Sequence, residues 1–441
     1  MSDTSQEFFD TYDISPTFGF LTDPSHSPTT LPPSLCEFQQ LLDAIGDQDG
    51  VTFRNRVREL AETRSSDEYT EIVQSLTNSE KLFVYTAFTF IVQKYVRCMG
   101  AQDRQIQSIP HNIGIIWYLC ARPFELPNVT SYSAVILNNF TYNDRSITTP
   151  TDVIDNITPK YAITDTPDEQ YFYRIHIAIE KIGSPLLRSI FLVNDHVKSK
   201  TSFIEFLNNV EHTLNDIHTV MRQMFHKCKP LVFWSCIRIY LGGYNADNGL
   251  PNGLRVDDTD LAFEFNGGSG AQSTLIHAID TFFNIDHGVQ HATDFLESQR
   301  VYMPIKHQTY LNDLAKIYSN NYLKTKVCEF NDPDIMIAYN NAVDALVRFR
   351  QTHYNIVHTY ITKHINASKS NVQSATVLEA NNIHGTKGSG GLAIPQLVDF
   401  IRDTQNTRIS DIYIRSQRIM CFITRWYVWL GIAIAIWVFF N

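Results

Sequence analysis

The sequence lacks paired cysteines, a basic run and an apolar N-terminal leader. Its seven cysteines are scattered without any CxxC pair, which excludes a zinc ribbon or thioredoxin-type site and gives little support to a disulfide framework. Lys and Arg number 36 against 46 Asp and Glu, a formal charge of −10. Because nucleic-acid binding requires clustered Lys and Arg, we expect no nucleic-acid partner. The acidic, polar start MSDTSQEFFDTYDISP does not predict a secretory signal, so a cytoplasmic protein is expected.

The hydrophobic pattern is mainly helical. The chain has 441 residues, 44% of them hydrophobic, enough for two or three domains. Period-two strands are few, whereas apolar residues recur at spacings of three and four in 79–99, 168–182, 202–227, 230–242, 271–283 and 333–365. We therefore predict a mostly all-α fold. The expected division is a small N-terminal α domain with a polar linker (1–160), a large α-helical domain (161–408) and a C-terminal apolar helix (419–441).

The C-terminus carries the longest uncharged run, from Trp426 to Phe440. At about 1.5 Å per residue this run spans about 22 Å, less than a bilayer core of about 30 Å. Extension back to Ile419 gives a spanning length and includes Arg425, which can snorkel to the interface. Arginines on the N-terminal side of this apolar segment favour an orientation that leaves the bulk of the protein in the cytosol. We predict a tail anchor at 419–441 in an intracellular membrane, with a buried terminal helix as the alternative.

A histidine interrupts the apolar stripe of segment 333–365. The stripe runs through Ala342, Leu346, Phe349, His353, Ile356 and Tyr360. A lone histidine in such a stripe is more often a hydrogen-bonded core residue, but a buried neutral imidazole can also bind a metal. Since no Cys or carboxylate is spaced to complete a zinc site, a haem iron with one axial histidine is the more natural occupant.

Arg238 is the only charged residue in the segment 231–241. If it is buried, its guanidinium requires an anion. Either a protein carboxylate or the carboxylate of a ligand, held bidentately, would satisfy it. Phe233 and Trp234 lie one turn earlier and would stack on a flat apolar group. Together these residues describe a pocket for an aromatic amino acid.

Three other stretches carry candidate residues. Phe172 and His176 share a helical face, and His176 could be a second iron ligand, a hydrogen-bonding residue in a distal cavity or a core residue. The glycine-rich turn at 267–270 has neither a preceding strand nor a Walker lysine, so a nucleotide site is weakly supported. Its amides and Ser269 could instead line a ligand pocket. The glycine cluster at 388–391 predicts a flexible loop or lid.

Taken in order, these stretches resemble the indoleamine 2,3-dioxygenase family. The resemblance spans residues 11–405, and it is carried by the segments YDISPTFGFL, SIPHNIG, LPNVTSYSAVILNNF, EQYFYRIHIAIE, FWSCIRIYLGG, GGSGAQST, FLESQRVYMPIKHQTYL, FRQTHYNIVHTYI and GSGGLAIPQLVDFIRDTQNT. It implies a haem b enzyme that inserts O₂ across the indole C2–C3 bond of L-tryptophan or a related indoleamine. The expected product is N-formylkynurenine, at the start of the kynurenine pathway. An electron donor that reduces ferric haem and a monomeric state are also expected.

The resemblance also implies residue roles. His353, in the motif RxxH, would be the proximal iron ligand, Phe233 would stack on the indole, and Arg238 would bind the substrate carboxylate. The other pocket residues implied are Phe172, Tyr132, Val135, Ile136, Ser269 and Ser389.

Two positions depart from the family pattern. His176 replaces the serine of vertebrate enzymes and could hydrogen-bond the indole N–H. Leu392, in GSGGL, replaces a threonine, which puts one loop hydrogen bond in doubt. Alternative functions are a non-catalytic O₂-binding haem protein and a membrane-tethered interaction protein.

Overall fold

A computed structural model describes residues 3–98, 106–164, 166–288, 290–370 and 387–417. These residues are mostly helical with little strand, which confirms the predicted fold class. Helices of ten or more residues are α1 (Asp3–Tyr12), α2 (Gly50–Ala61), α3 (Ser66–Ser75), α4 (Asn78–Val96), α5 (His111–Ala121), α6 (Pro167–Phe191), α7 (Lys200–Arg222), α8 (Thr274–Phe283), α9 (Gln290–Gln299), α10 (Ile305–Ile317), α11 (Pro333–Val357) and α12 (Leu397–Asn406).

Shorter elements connect these helices. The short α-helices are Gln39–Asp43, Pro150–Asn156, Val193–His196, Met224–Lys227, Pro230–Val232, Tyr322–Phe330 and Lys363–Ser370. Three π-helical turns lie at Ser133–Leu137, Phe233–Ile237 and His358–Thr362. The strands are β1 (Ser108–Ile109), β2 (Phe140–Tyr142), β3 (Ile157–Pro159), β4 (Leu254–Val256) and β5 (Ala262–Phe263). β1 pairs parallel with β4, β4 pairs antiparallel with β5, and β2 pairs antiparallel with β3.

The two longest helices, α6 and α11, begin at strong N-terminal signals. Asp332 caps α11 by accepting the Asp334 N–H, and Pro333 occupies the first turn, where its missing N–H costs nothing. Thr166 caps α6 in the same way, again followed by proline. Each helix then runs for 25 residues, about 37 Å at the usual rise. These lengths let both helices extend from the surface through the core.

The core is centred on α7, which packs lengthwise against α11 and also contacts α6. The buried positions of α7 recur at three and four, including Phe206, Val210, Leu214 and Ile217. Fully burying each such side chain contributes about 1.5–3 kcal/mol. The predicted periodicity of 202–227 and 333–365 therefore reflects one shared interface.

The polar stretch 141–170, expected to be a linker, contains ordered elements. It includes most of the β2–β3 pair, the Pro150–Asn156 helix and the start of α6. Val153, Ile154 and Ile157 are buried, so a few apolar residues suffice to fix this segment on the core. The domain boundaries drawn from the sequence stay a prediction.

The expected tail anchor at 419–441 lies outside the described residues, so it also stays a prediction. Within the described ranges, the helices are too short or too polar to cross a bilayer. Six of the cysteines belong to the described part of the chain, and all six are free thiols.

Candidate active site

A cavity of about 180 Å³ lies among α6, α11 and the three π-helical turns. Nine of the ten residues predicted for the site line it: Tyr132, Val135, Ile136, Phe172, His176, Phe233, Ser269, His353 and Ser389. Arg238 does not line the cavity; it is buried and donates to the carbonyl of Lys387, which precedes the lining residue Gly388. A second space of about 140 Å³ adjoins the first, because Tyr132, His176 and His353 line both. Nine residues predicted from distant parts of the sequence therefore lie around one cavity.

Local helix geometry directs several side chains into the cavity. Each π-helical turn contributes lining residues: Ile136 from the first, Phe233 from the second and Tyr360 from the third. A π turn inserts one extra residue, which rotates the following side chains relative to a regular helix. The Tyr360 hydroxyl donates to the Met224 carbonyl at 2.8 Å and to the Cys228 carbonyl at 2.6 Å. These bonds fix the third π-helical turn against the short helix Met224–Lys227 and the residue that follows it.

His353 presents an imidazole to both spaces. Burial lowers its pKa to about 4, helped by His176 and Arg350 nearby, so the ring is neutral at physiological pH. No hydrogen bond to its ring nitrogens occurs within the described part of the chain. A satisfied core histidine would have such a partner. His353 therefore has the free nitrogen that metal ligation requires.

His176, on α6, lines the same two spaces as His353. Its Nδ1 is 2.9 Å from the Phe172 carbonyl oxygen, so Nδ1 carries the proton and Nε2 carries the lone pair. Burial lowers the pKa of His176, which keeps this neutral tautomer. The Phe172 ring lies 4.5 Å from the His176 ring and 5.3 Å from that of Phe233, between ring centroids. This wall offers aromatic faces and one hydrogen-bond acceptor.

Arg238 is 3% exposed and has no carboxylate partner among the residues the structure describes. Its Nη2 donates to the Lys387 carbonyl at 3.0 Å, its guanidinium stacks on Trp234 at 4.8 Å, and Nη1 has no hydrogen-bond partner. Burial lowers the pKa of Arg238 to about 10, which still leaves it charged. The protein carboxylate that would have explained a buried arginine is absent from the described ranges. The buried guanidinium of Arg238 therefore still requires an anion, which the acid group of a ligand would supply.

Two glycine-rich segments pack against each other over the cavity. A Cβ on Gly267 would lie 1.9 Å from the Leu241 carbonyl oxygen, and one on Gly390 would lie 2.6 Å from the Ser269 Cβ. Only glycine permits these backbone approaches. The Ser389 hydroxyl donates to the Gly268 carbonyl, and the Gly267 N–H donates to the Ser389 carbonyl at 3.0 Å. The predicted lid segment is thus held closed on the 267–270 turn.

Sequence reasoning missed a buried ion pair behind His353. Arg350 is charged, yet it is 8% exposed and binds the Asp280 carboxylate. Burial alone would raise the pKa of Asp280, but Arg350 holds it below its usual value. The signal was present, because a residue three positions before His353 lies only about 60° from it around the helix. Both Arg350 and Asp280 line the 140 Å³ space.

A buried carboxylate was also missed. Glu180 follows His176 by four residues on α6 and is 1% exposed. It accepts hydrogen bonds from the hydroxyls of Tyr132, at 3.0 Å, and Ser273. Burial raises the pKa of Glu180 to about 7. The i, i+4 spacing that linked Phe172 to His176 continues to Glu180 and could have identified it.

The chain is similar to known proteins over most of its length. The family model for indoleamine 2,3-dioxygenase matches residues 8–411. Indoleamine 2,3-dioxygenase 2 of Mus musculus is 27% identical over 74% of this chain and 78% of its own. Indoleamine 2,3-dioxygenase of Saccharomyces cerevisiae is 28% identical over 70% of each chain. The 6-hydroxytryptophan 2,3-dioxygenase fscD of Fusarium equiseti is 28% identical over 89% of this chain and 95% of its own.

Proposed function

Because this chain belongs to the indoleamine 2,3-dioxygenase family, we propose that it is a haem-dependent tryptophan dioxygenase. The reaction inserts both atoms of O₂ across the indole C2–C3 bond of L-tryptophan and gives N-formylkynurenine. One observation carries this proposal most directly. His353 presents a neutral imidazole to an aromatic-walled cavity, and the loop that lines this cavity at Gly388 and Ser389 begins at Lys387, which binds the buried guanidinium of Arg238, a group without a carboxylate partner among the described residues.

The residues at the site fit a haem group. A bare metal ion would need several protein ligands, and no cluster of three His, Cys, Asp or Glu side chains occurs among the described residues. A porphyrin supplies four nitrogen ligands to its iron, so the protein needs to provide only one axial ligand, such as a neutral imidazole. The cavity wall around His353 is largely apolar, including Ile356, Val357 and Phe295. Bound here, haem would supply the activation of O₂ that no side chain can provide.

The other residues of the site suit L-tryptophan. Phe172 and Phe233 present faces for the indole ring, and Arg238 would bind its carboxylate in a charge-assisted pair. His176 presents the Nε2 lone pair, which can accept the indole N–H. These contacts would orient the C2–C3 bond, and orientation of this kind contributes several kcal/mol to a reaction barrier. The chain needs no strong general base for this chemistry.

The closed loop excludes water from the reacting atoms. Ser389 and Gly390 bond to the 267–270 turn and to Gln299, whose amide donates to the Gly390 carbonyl at 3.3 Å. Lys387 also pairs with Asp247 at 2.8 Å on the outer surface. Because Arg238 donates to the Lys387 carbonyl, opening of this loop and binding of the substrate acid are coupled through one guanidinium.

Two measurements on purified full-length protein test the function. We expect a Soret band, and we expect N-formylkynurenine to form from L-tryptophan when a chemical reductant maintains ferrous iron. A Soret band without product would instead support a non-catalytic O₂-binding haem protein. Absence of any haem after reconstitution would refute the proposal. 6-Hydroxytryptophan is a useful second substrate, because a similar protein is named for it.

A further inference from the structure

A second cavity, of about 390 Å³, lies between the N-terminal segment 6–26 and the starts of α4 and α10. We call it the N-terminal cavity. Its apolar lining includes the rings of Phe9, Phe20 and Phe124. Its charged lining consists of the carboxylates of Asp10, Asp13 and Asp23, without a Lys or Arg among the described residues that line it. A pocket of this composition favours a cationic ligand with an apolar body.

A buried histidine supplies an unsatisfied polar atom in this cavity. His307 is 3% exposed, and its Nδ1 has no hydrogen-bond partner in the described structure. Its ring lies 4.4 Å from that of Phe20, and the carbonyl and carboxylate of Asp13 lie beside it. The Asp13 carbonyl can take only the ring N–H, which leaves Nδ1 as the lone pair. Such a buried acceptor requires a donor, and a ligand ammonium would provide one.

The acidic groups of the N-terminal cavity are only partly neutralised by the protein. Asp23 pairs with Arg145 at 2.6 Å. Asp10 and Asp13 have no ion pair with any described residue, and the nearby Lys306 Nζ donates to the backbone carbonyl of Asp10 instead. Asp13 is exposed at the cavity mouth with a φ of 55°. One carboxylate at the mouth and one imidazole in the wall can therefore face the same cation.

We propose that the N-terminal cavity binds a compact organic ammonium with an aromatic body and no carboxylate. The ammonium would donate to His307 Nδ1 and pair with Asp13, while the ring packs against Phe9 and Phe20. This composition is the reverse of the catalytic site, where Arg238 selects an acid. The N-terminal cavity would therefore favour amines without an acid group, and the catalytic site would favour amino acids.

The two cavities share one wall. The π-helical turn Ser133–Leu137 presents Ser133 and Leu137 to the N-terminal cavity, and Val135 and Ile136 to the catalytic cavity. Packed walls shift as units rather than deform smoothly. We therefore expect an occupant of the N-terminal cavity to change the affinity of the catalytic cavity, and such a coupling would be reciprocal.

Equilibrium dialysis of labelled tryptamine against full-length protein tests the site. Saturating L-tryptophan under anaerobic conditions keeps the catalytic cavity occupied. We expect one equivalent of tryptamine to bind, and no saturable binding of indole-3-propionate, which has a similar shape and the opposite charge. Asp13→Asn should weaken tryptamine binding about fivefold or more, because asparagine tolerates the left-handed backbone but removes the charge.

Asp258→Asn is the matched control, since Asp258 is also exposed with a φ of 58° and lies outside this cavity. It should bind tryptamine like wild type. Absence of saturable tryptamine binding, equal binding by Asp13→Asn, or equal binding of the propionate would overturn the site. In turnover assays tryptamine should shift the KM for L-tryptophan in wild type more than in Asp13→Asn. An equal shift in both proteins would overturn the coupling between cavities.

Discussion

Two buried arginines flank the catalytic cavity, and they differ in what accompanies them. Arg350 binds the Asp280 carboxylate and donates to the Phe400 carbonyl at 2.9 Å. Arg238 has only the Lys387 carbonyl and the Trp234 ring, and its Nη1 is unsatisfied. Burying a guanidinium without an anion costs several kcal/mol. The fold thus neutralises one arginine itself and leaves the other for a ligand acid.

Replacing His353, the candidate iron ligand, should have the largest effect. His353→Ala removes the free imidazole that lines both parts of the site, so we expect loss of the Soret band after reconstitution. His358→Ala is the matched control, because His358 is exposed one turn later on the same helical segment. It should retain haem. Equal Soret bands in the two variants would exclude His353 as the iron ligand.

Arg350→Leu should test the neutralised arginine. After its removal, His287, 3.6 Å away, is the one described residue that stays within ion-pair distance of the buried Asp280 carboxylate. Breaking a buried pair in this way costs about 3–5 kcal/mol, measurable as a lower midpoint of urea unfolding. A fall of under about 1 kcal/mol would show that this pair does not stabilise the fold.

Arg238→Leu should have the opposite signature. Folding stability should stay unchanged or rise, since an unpaired buried charge disappears, while the KM for L-tryptophan should rise about 30-fold or more. Arg238→Lys keeps the charge but lacks the planar guanidinium, so its KM for L-tryptophan should lie between those of wild type and Arg238→Leu. If Arg238→Leu unfolds the protein as Arg350→Leu does, the contrast between the two arginines is wrong.

Glu180 extends the comparison of the two arginines to a buried carboxylate. Its pKa of about 7 is raised by burial, so the folded state holds this proton more tightly than the unfolded chain. Its contribution to stability is complete below about pH 4.5 and is lost as pH rises through 7. Relative to Glu180→Gln, wild type should lose about 2 kcal/mol of unfolding free energy between pH 5 and 8. Parallel pH profiles for the two proteins would contradict the raised pKa.

The loop beside Arg238 should give the smallest effect. Leu392 lines the cavity, at the position where the resemblance to the family implies a threonine. Leu392→Thr restores one hydroxyl, worth about 1 kcal/mol when it bonds, and should lower the KM for L-tryptophan a few-fold. Leu392→Val, which matches threonine in shape without the hydroxyl, should not.

The helical fold could be predicted because apolar spacing is a local pattern, whereas most of the candidate site residues came from the resemblance to the family, and their roles stay predictions. The apolar stripe predicted that His353 would face inward, whereas the isolated charge of Arg238 left open whether that residue is buried or faces solvent. The partners of Arg350 and Glu180 could not be predicted, because Asp280 and Tyr132 come from distant segments that only the packed helices bring together. The 141–170 segment was judged by its polar composition, although Val153, Ile154 and Ile157 fix it on the core.

The affinity difference between L-tryptophan and tryptamine at the haem site tests the central claim most directly. Anaerobic titrations followed at the Soret band would compare wild type with Arg238→Leu, whose haem spectrum should be unchanged before ligand is added. We predict that wild type binds L-tryptophan at least tenfold more tightly than tryptamine, and that this difference disappears in Arg238→Leu. A difference that survives the substitution would contradict the assignment of Arg238 to the substrate acid.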